Sequence, residues 1–351
     1  MDKISRRSFI AAGAAGTAAL AVPNVMRAAD QQRQQGAATG TAPVQIRFGD
    51  AQQRVVTGPL TREITGNVKG RPKLCLSTYS LQTFSQSPEG IEGCILAAAD
   101  MGVSAIDILH RSLPTEDNDY CQKLKQLAYL NGITIACLSI HQGFVNPSPE
   151  VRISHENHTI RCLELAYNMG SPAIRLNSGS WGTRTGGYLT NNGFDTPLPG
   201  YTDEDGFKWI AESVKKCLRT AERTGVVMAL ENHWGLSRTA DMMLRIKKDV
   251  DSNWVKFLVD TGNFLHEPYD DIAKILPETI FISCKTYQGG GRSYTLDLDY
   301  DRIFKMYHDV DFRGFITLEF EGNADPMEST IDSFQLFKKL IDKYWTNYPV
   351  K

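Results

Sequence analysis

Three apolar runs in this 351-residue chain each end on a carboxylate. Ala229-Leu230 leads into Glu231, Leu258-Val259 into Asp260, and Thr317-Leu318 into Glu319. Acids at the ends of buried strands are expensive unless something offsets their charge, because an unpaired carboxylate is strongly disfavoured away from water. A divalent cation is one such partner, and an all-oxygen ligand set selects hard ions such as Mg²⁺ or Mn²⁺. Basic side chains are the other. Lys285 closes the run Phe281-Ile282-Ser283-Cys284, and Arg175 sits in Ile174-Arg175-Leu176-Asn177. Both pairings stay open at the level of sequence.

Further polar residues fall where the same runs end. Arg175 and Asn177 could hold hydroxyl groups of a ligand, or Arg175 could form a structural ion pair. His141 follows Thr134–Ile140 and is either a ligand contact or an ordinary loop histidine. His233, two residues past Glu231, reads as a ligand contact or as support for its neighbours. Asn263 closes Asp260-Thr261-Gly262-Asn263, and Arg292 follows three glycines in what reads as a mobile loop. Trp181 offers a face for stacking, although a packed loop aromatic is the commoner case. The segment Thr183 to Thr202 is long enough for a lid or a contact between copies.

The elements that must position these residues alternate from Lys73 onward. Strand-like runs are Leu74–Tyr79, Ala105–Leu109, Thr134–Ile140, Ala173–Asn177, Val226–Glu231, Val255–Asp260, Ile280–Lys285 and Phe315–Phe320. Helical stretches with apolar residues at three and four lie between them: Ile91–Met101, Tyr120–Asn131, Arg152–Met169, Asp205–Thr224, Ala240–Val250, Tyr300–His308 and Met327–Lys343. Gly102, Gly132, Gly170, Gly225 and Gly314 divide helix from strand, as left-handed helix caps would. Eight strands alternating with helices over 73–345 predict an α/β fold, a (β/α)8 TIM barrel. No glycine-rich phosphate loop follows the first strand, which argues against an open dinucleotide-binding sheet. In such a barrel the strand ends named above share one face.

With their surroundings, Ala-Leu-Glu231-Asn-His, Val-Asp260-Thr-Gly-Asn263 and Gly314-Phe-Ile-Thr-Leu-Glu319-Phe-Glu-Gly resemble the xylose-isomerase-like sugar isomerases and epimerases, the sugar phosphate isomerase/epimerase superfamily. The resemblance covers about Lys73 to Ile341. It implies that Glu231, Asp260 and Glu319 ligate one divalent metal (Mn, Mg, Co or Zn). It also implies that Glu231 and Glu319 face each other across a carbohydrate substrate. The family usually adds a His two residues before the strand-seven lysine; here Lys285 is present but Ser283 stands in that place. Asn263 likewise replaces a substrate-binding His of many relatives. Water, substrate, Gln288 or His233 are the candidates to complete the set.

The expected chemistry is proton transfer beside a carbonyl. A Lewis acid polarises the carbonyl, Glu231 or Glu319 takes the adjacent proton, Lys285 helps hold the enediolate, and the opposite Glu returns the proton. Return to the same carbon epimerises and return to the neighbour isomerises. Expulsion of a β-substituent makes a lyase, for example on a 3-keto-glycoside. A non-catalytic carbohydrate-binding accessory protein is the rival reading.

The amino terminus adds a location. Ser5-Arg6-Arg7-Ser8-Phe9-Ile10 precedes a weakly apolar stretch to Val22, and Ala28-Ala29 offers a cleavage site. This is the layout of a twin-arginine export signal over 1–29, handled by the twin-arginine translocation machinery and implying a periplasmic or otherwise exported protein. Residues 30–72 read as a linker or arm. The stretch is shorter than the roughly 20 apolar residues of a membrane helix, so no stable membrane span is expected. Net charge is -2 and there are 7 His, which gives no nucleic-acid signature and sets aside the polynuclear-zinc endonucleases of similar fold. The 7 Cys have no framework spacing and read as buried free thiols. Pairing of two copies into a homo-oligomer is common among relatives and is carried as an expectation.

Overall fold

The computed structural model describes residues 70–346. The expected export signal and nearly all of the expected arm lie outside the described residues. Eight parallel strands close into one barrel in sequence order: β1 Lys73–Ser77, β2 Ala105–Leu109, β3 Thr134–Ser139, β4 Ala173–Leu176, β5 Val227–Glu231, β6 Val255–Asp260, β7 Thr279–Thr286 and β8 Phe315–Phe320. The expected (β/α)8 barrel is thus the observed one. Its helices are α1 Gln82–Ser85, α2 Gly90–Asp100, α3 Asn118–Leu130, α4 Pro149–Met169, α5 Tyr188–Asn191, α6 Asp203–Thr224, α7 Ala240–Val250, α8 Pro268–Ile275, α9 Tyr300–Asp309 and α10 Pro326–Tyr344. Among the described residues no helix is long and apolar enough to cross a membrane. All seven cysteines are buried and unpaired.

Two hydrophobic clusters divide the work. The larger fills the layer between strands and helices. The smaller plugs the barrel interior with Cys75, Ala105, Cys137, Ala173, Ala229, Leu258 and Phe281, and Phe315 packs against it. Side chains along a strand repeat with period two, so the next inward position on each strand lies two residues on. Those positions are Ser77, Asp107, Ser139, Arg175, Glu231, Asp260, Ser283 and Thr317, all buried and all polar. A dry plug therefore supports a polar layer at the carboxyl ends of the strands. Register carries the pattern further, since Asp260 pairs with Ser283 across β6 and β7, and Lys285 pairs with Glu319 across β7 and β8.

Helix ends follow their local chemistry. Thr202 and Asp205 form a reciprocal capping box at the start of α6, while Ser148, Thr239, Asp299 and Asp325 cap other helices with side-chain oxygens. Helix α8 was not among the expected helices; it spans only two turns, opens on Pro268 and buries Ile272 and Ile275. Gly102, Gly132, Gly170 and Gly225 do have positive φ. Gly314 does not, and the left-handed residue of that turn is Asp311. Gly314 is needed for space: a Cβ there would lie 2.7 Å from the Ile280 carbonyl oxygen and 2.7 Å from the Phe312 ring.

The two kinds of glycine make separable predictions. Gly132→Ala meets no atom within 4 Å but keeps φ at 70°, so it should lower unfolding free energy by about 1–2 kcal/mol through backbone strain alone. Gly314→Ala must shift β7 or Phe312 and should cost about 1–3 kcal/mol through overpacking. Urea denaturation of each variant checks both, and a neutral Gly314→Ala would contradict the close approach.

Candidate functional site

Glu231 ends β5 inside the barrel mouth. Asn177 Nδ2 donates to its Oε2 at 2.7 Å, and Arg175 Nη1 lies 3.6 Å from its Oε1. Arg175 also reaches back to β3, donating to the Ile140 carbonyl at 3.2 Å and lying 2.9 Å from His141 Nε2. One guanidinium thus ties the ends of three neighbouring strands. Asp260 ends β6 and is fully buried. The Gly262 amide donates to its Oδ1 at 2.8 Å and Asn263 Nδ2 to its Oδ2 at 2.9 Å. Its main chain is clasped by Asn232, whose side chain accepts from the Asp260 amide at 2.7 Å and donates to its carbonyl at 2.8 Å.

Lys285 is the cation at the centre. Its ammonium lies 3.3 Å from Asp260, 3.4 Å from Glu321 and 3.9 Å from Glu319. It also donates to Asn263 Oδ1 at 3.0 Å, an oxygen shared with the Tyr294 hydroxyl at 3.2 Å. The Ser283 hydroxyl donates to Glu319 Oε2 at 2.7 Å. Gly262 must be glycine for this cluster to close, because a Cβ would meet the Tyr287 hydroxyl at 2.3 Å and the Lys285 stem at 2.5 Å.

The electrostatics follow from crowding. Burial raises the Asp260 carboxyl well above its ordinary range; Lys285 opposes that shift, and Glu319, Glu231 and Glu321 add to it. Burial disfavours the Lys285 ammonium, but Asp260, Glu319 and Glu321 outweigh it and hold the group firmly charged. Arg175 is likewise held charged against burial by Glu231, Glu319 and Asp107. His141 is pushed down to about 3 by burial and by Arg175, and His233 well below its ordinary value by burial, Arg175 and Lys285. Both imidazoles are neutral and can donate and accept hydrogen bonds.

The expected residues do not all converge. Glu231, Asp260, Glu319, Lys285, Arg175, Asn177 and Asn263 form one connected network, and His141 joins it through Arg175. His233 lies beside Trp234 with ring centroids 4.5 Å apart, its amide held by Ser237. Arg292 is exposed on the rim, where its Nε donates to the Gly322 carbonyl at 3.4 Å. Trp181 is buried, donating to Asp203 at 2.8 Å and packing on Trp209, so it is a packed loop aromatic. The Gln288 amide donates to Ser333 on α10 at 2.8 Å. Tyr188 and Trp234 stack at 4.1 Å, which places part of the 183–202 segment over the His233 turn.

Three members went unread in the sequence. Glu321 lies one residue past β8, and Tyr294 comes from the loop after β7. Asp107 lies in the middle of β2, accepting from Ser139 at 2.7 Å and from Ser77 at 3.0 Å. Its period-two position above Ala105 was the available signal. Gln142, beside His141, is buried with neither amide atom bonded to protein.

Glu231, Asp260, Glu319, Glu321 and, through Arg175, Asp107 surround Arg175 and Lys285. With every acid ionised, five negative and two positive charges would leave the mouth three charges short of balance. Three strand-end carboxylates and the Ser283 hydroxyl are oxygen donors throughout, so donor type and charge both fit a hard divalent ion. Lys285 competes for the same oxygens. Among the described residues, the one trio of His, Cys, Asp or Glu side chains whose ligand atoms all lie within 4.8 Å of one another is elsewhere, at His110, His158 and Cys162.

Comparison with known proteins places this barrel. The model of the family described as xylose isomerase-like TIM barrel matches residues 95–340, and the chain belongs to that family. Searching the curated proteins by sequence finds no match. Among solved structures, the apo form of 3-keto-D-glucoside 4-epimerase, YcjR, from E. coli is similar with a TM-score of 0.62 and 18% identity, covering 77% of this chain and 100% of that one. An L-ribulose 3-epimerase gives a TM-score of 0.63 at 13% identity over 79% of this chain and 96% of that one. The IOLI protein with a binding zinc atom gives 0.61 at 15% identity over 78% and 99%. At these identities the likeness is one of fold.

Asp107 supplies a test of the polar layer. Burial lifts its carboxyl to about 6 from an ordinary 3.8; hydrogen bonds from Ser139 and Ser77 and the charge of Arg175 only partly oppose this. The folded state therefore binds this proton more tightly, so its contribution is complete below about pH 4 and lost as pH rises through about 6. At about 1.4 kcal/mol per pH unit that is about 3 kcal/mol. Asp107→Asn should flatten the stability profile between pH 4 and 6.5, read from denaturation midpoints. An unchanged profile would mean that Asp107 is ionised when folded.

Proposed function

We propose that this chain is a carbohydrate-active enzyme of the isomerase or epimerase type, moving a proton on the carbon beside a carbonyl. One observation carries the reading: Glu231 and Glu319, three strands apart around the mouth, lie in one network with two fixed cations, Arg175 and Lys285. A carboxylate beside a charged Lys or Arg can take a carbon-bound proton because the developing oxyanion has a cation to meet.

In this reading Glu231 and Glu319 are the two proton-transfer groups. Lys285, pinned by Asn263 and the carboxylates, faces the enediolate oxygen without reorganising. Arg175, Asn177, His141, His233 and Asn263 offer donors and acceptors for sugar hydroxyls, and Gln142 adds an amide whose hydrogen bonds are unmet within the protein. Glu231, Asp260 and Glu319 would hold a divalent metal, with the Ser283 hydroxyl beside Glu319. When bound, such an ion supplies Lewis-acid polarisation of the carbonyl. Arg292 on the rim is the group that would meet the far end of a longer substrate.

Substrate class follows from the pocket's polarity and from the family. Unphosphorylated ketoses and 3-keto-glycosides are the first to test, since a protein exported by the twin-arginine route would meet few sugar phosphates. Export itself, from the Arg6-Arg7 pair and Ala28-Ala29, is part of this proposal, as is assembly into a homo-oligomer.

The test is exchange of the carbon-bound proton with solvent deuterium, followed by NMR over a panel of ketoses and 3-keto-glycosides. The wild type should exchange at least one of them. Glu231→Gln and Glu319→Gln should each reduce exchange about 100- to 10,000-fold while far-ultraviolet circular dichroism stays unchanged. Release of the aglycone from a 3-keto-glycoside would assign the lyase outcome to the same first step. Sugar binding without exchange would support the accessory-protein reading, and full activity in both variants would refute these roles.

A further inference from the structure

A second cluster of ligand-type side chains lies outside the mouth network. His158 and Cys162 are four residues apart on α4, a spacing that stacks two side chains on one helix face. His110, in the short 3-10 turn after β2, faces them with ring centroids 5.1 Å apart for the two histidines. The Cys162 sulfur lies 3.7 Å from His158 Nδ1. One donor atom from each of the three falls within 4.8 Å of the others. Glu116 adds a carboxylate, its Oε1 2.8 Å from His110 Nε2. Tetrahedral zinc holds N, O and S ligands at about 2.0–2.3 Å, which sets neighbouring donors about 3.3–3.8 Å apart. The cluster is within about an ångström of that.

We propose that His110, His158 and Cys162, with Glu116 at their edge, form a second metal site, for a borderline ion such as Zn²⁺. The donor set carries the choice: thiolate and imidazole favour zinc-like ions over Mg²⁺ or Mn²⁺. A thiolate and a carboxylate also neutralise a divalent ion. Arg161 borders the cluster, donating from Nε to Glu116 at 2.8 Å and lying 3.2 Å from His158 Nδ1 through Nη2. Its side chain is 58% exposed and can swing into water. A cleft of about 810 Å³, lined by His141, Ser154, His155, Asn157, His158 and Arg161, gives a way in and touches the mouth at His141. Ligation through the thiolate expels the Cys162 thiol proton to solvent.

The site is tested by titrating the full chain, purified without a histidine tag, with Co²⁺. The expected result is a thiolate-to-cobalt charge-transfer band in the near ultraviolet, with the amplitude of one thiolate site per chain and erased by Zn²⁺. The oxygen-donor mouth cannot produce that band, so the two sites are told apart whatever the mouth binds. Cys162→Ser should abolish it, and His158→Gln should weaken cobalt binding at least about tenfold. Should the serine variant fail to fold, the glutamine variant decides. No band at excess Co²⁺, a band that survives Cys162→Ser, or unchanged affinity in His158→Gln would each overturn the proposal.

Discussion

Charge matching inside the barrel mouth is the constraint on which the rest of the structure depends. Carboxylates from β2, β5, β6 and β8 and the residue after β8, those of Glu319 and Glu321 half-buried and the rest buried, crowd around two buried cations from β4 and β7. Each strand-end acid is fixed by a neutral donor as well: Asn177 for Glu231, Gly262 and Asn263 for Asp260, Ser283 for Glu319. Those contacts orient the carboxylates without cancelling their charge. A ligand-free mouth must then hold a proton on an acid or attract a cation. An enzyme that has to take up and return a proton beside a polarised carbonyl can use that tension.

The barrel supplies the geometry through its alternation. A plug of small and aromatic residues seals the interior, and the next inward residue on all eight strands is polar. Parallel strands bring those residues to the same end of the barrel, in layers drawn from alternate strands, so eight separate stretches of sequence meet there. The outer helices contribute packing and otherwise little to the site. The loops bring Tyr294 and Trp234 to it, while α4 carries His158 and Cys162 to a separate cluster outside the mouth.

Much of this was legible because strand ends in a repeating α/β pattern identify themselves. Glu231, Asp260, Glu319, Lys285, Arg175 and Asn177 were readable from their place after apolar runs, and the fold from the alternation itself. Asp107 was missed because reading only the last residues of each strand skips an inward position in mid-strand. Glu321 was passed over because Glu319, two residues before it, already supplied the strand-end acid. Trp181 is the packed loop aromatic that its type made the commoner case, whereas the contact of Gln288 could not be read, since its partner Ser333 lies on a helix whose facing side sequence does not reveal. The same holds for His110 meeting α4: the His158/Cys162 spacing was visible, but the third donor comes from a strand end 48 positions before His158.

The resemblance noted in the sequence sharpens one question, because it implies histidines at the positions held here by Ser283 and Asn263. Either the strand-end acids still gather a hard metal ion, or Lys285 has become their sole central cation. Titrating the full chain with Mn²⁺ by calorimetry, beside a Glu231→Ala/Asp260→Ala double variant, separates these directly, since the thiolate-bearing cluster at Cys162 has little preference for Mn²⁺. The account predicts one Mn²⁺ per chain in the wild type and none in the double variant. No binding to either would contradict a metal at the mouth and leave Lys285 and Arg175 to balance its acids alone.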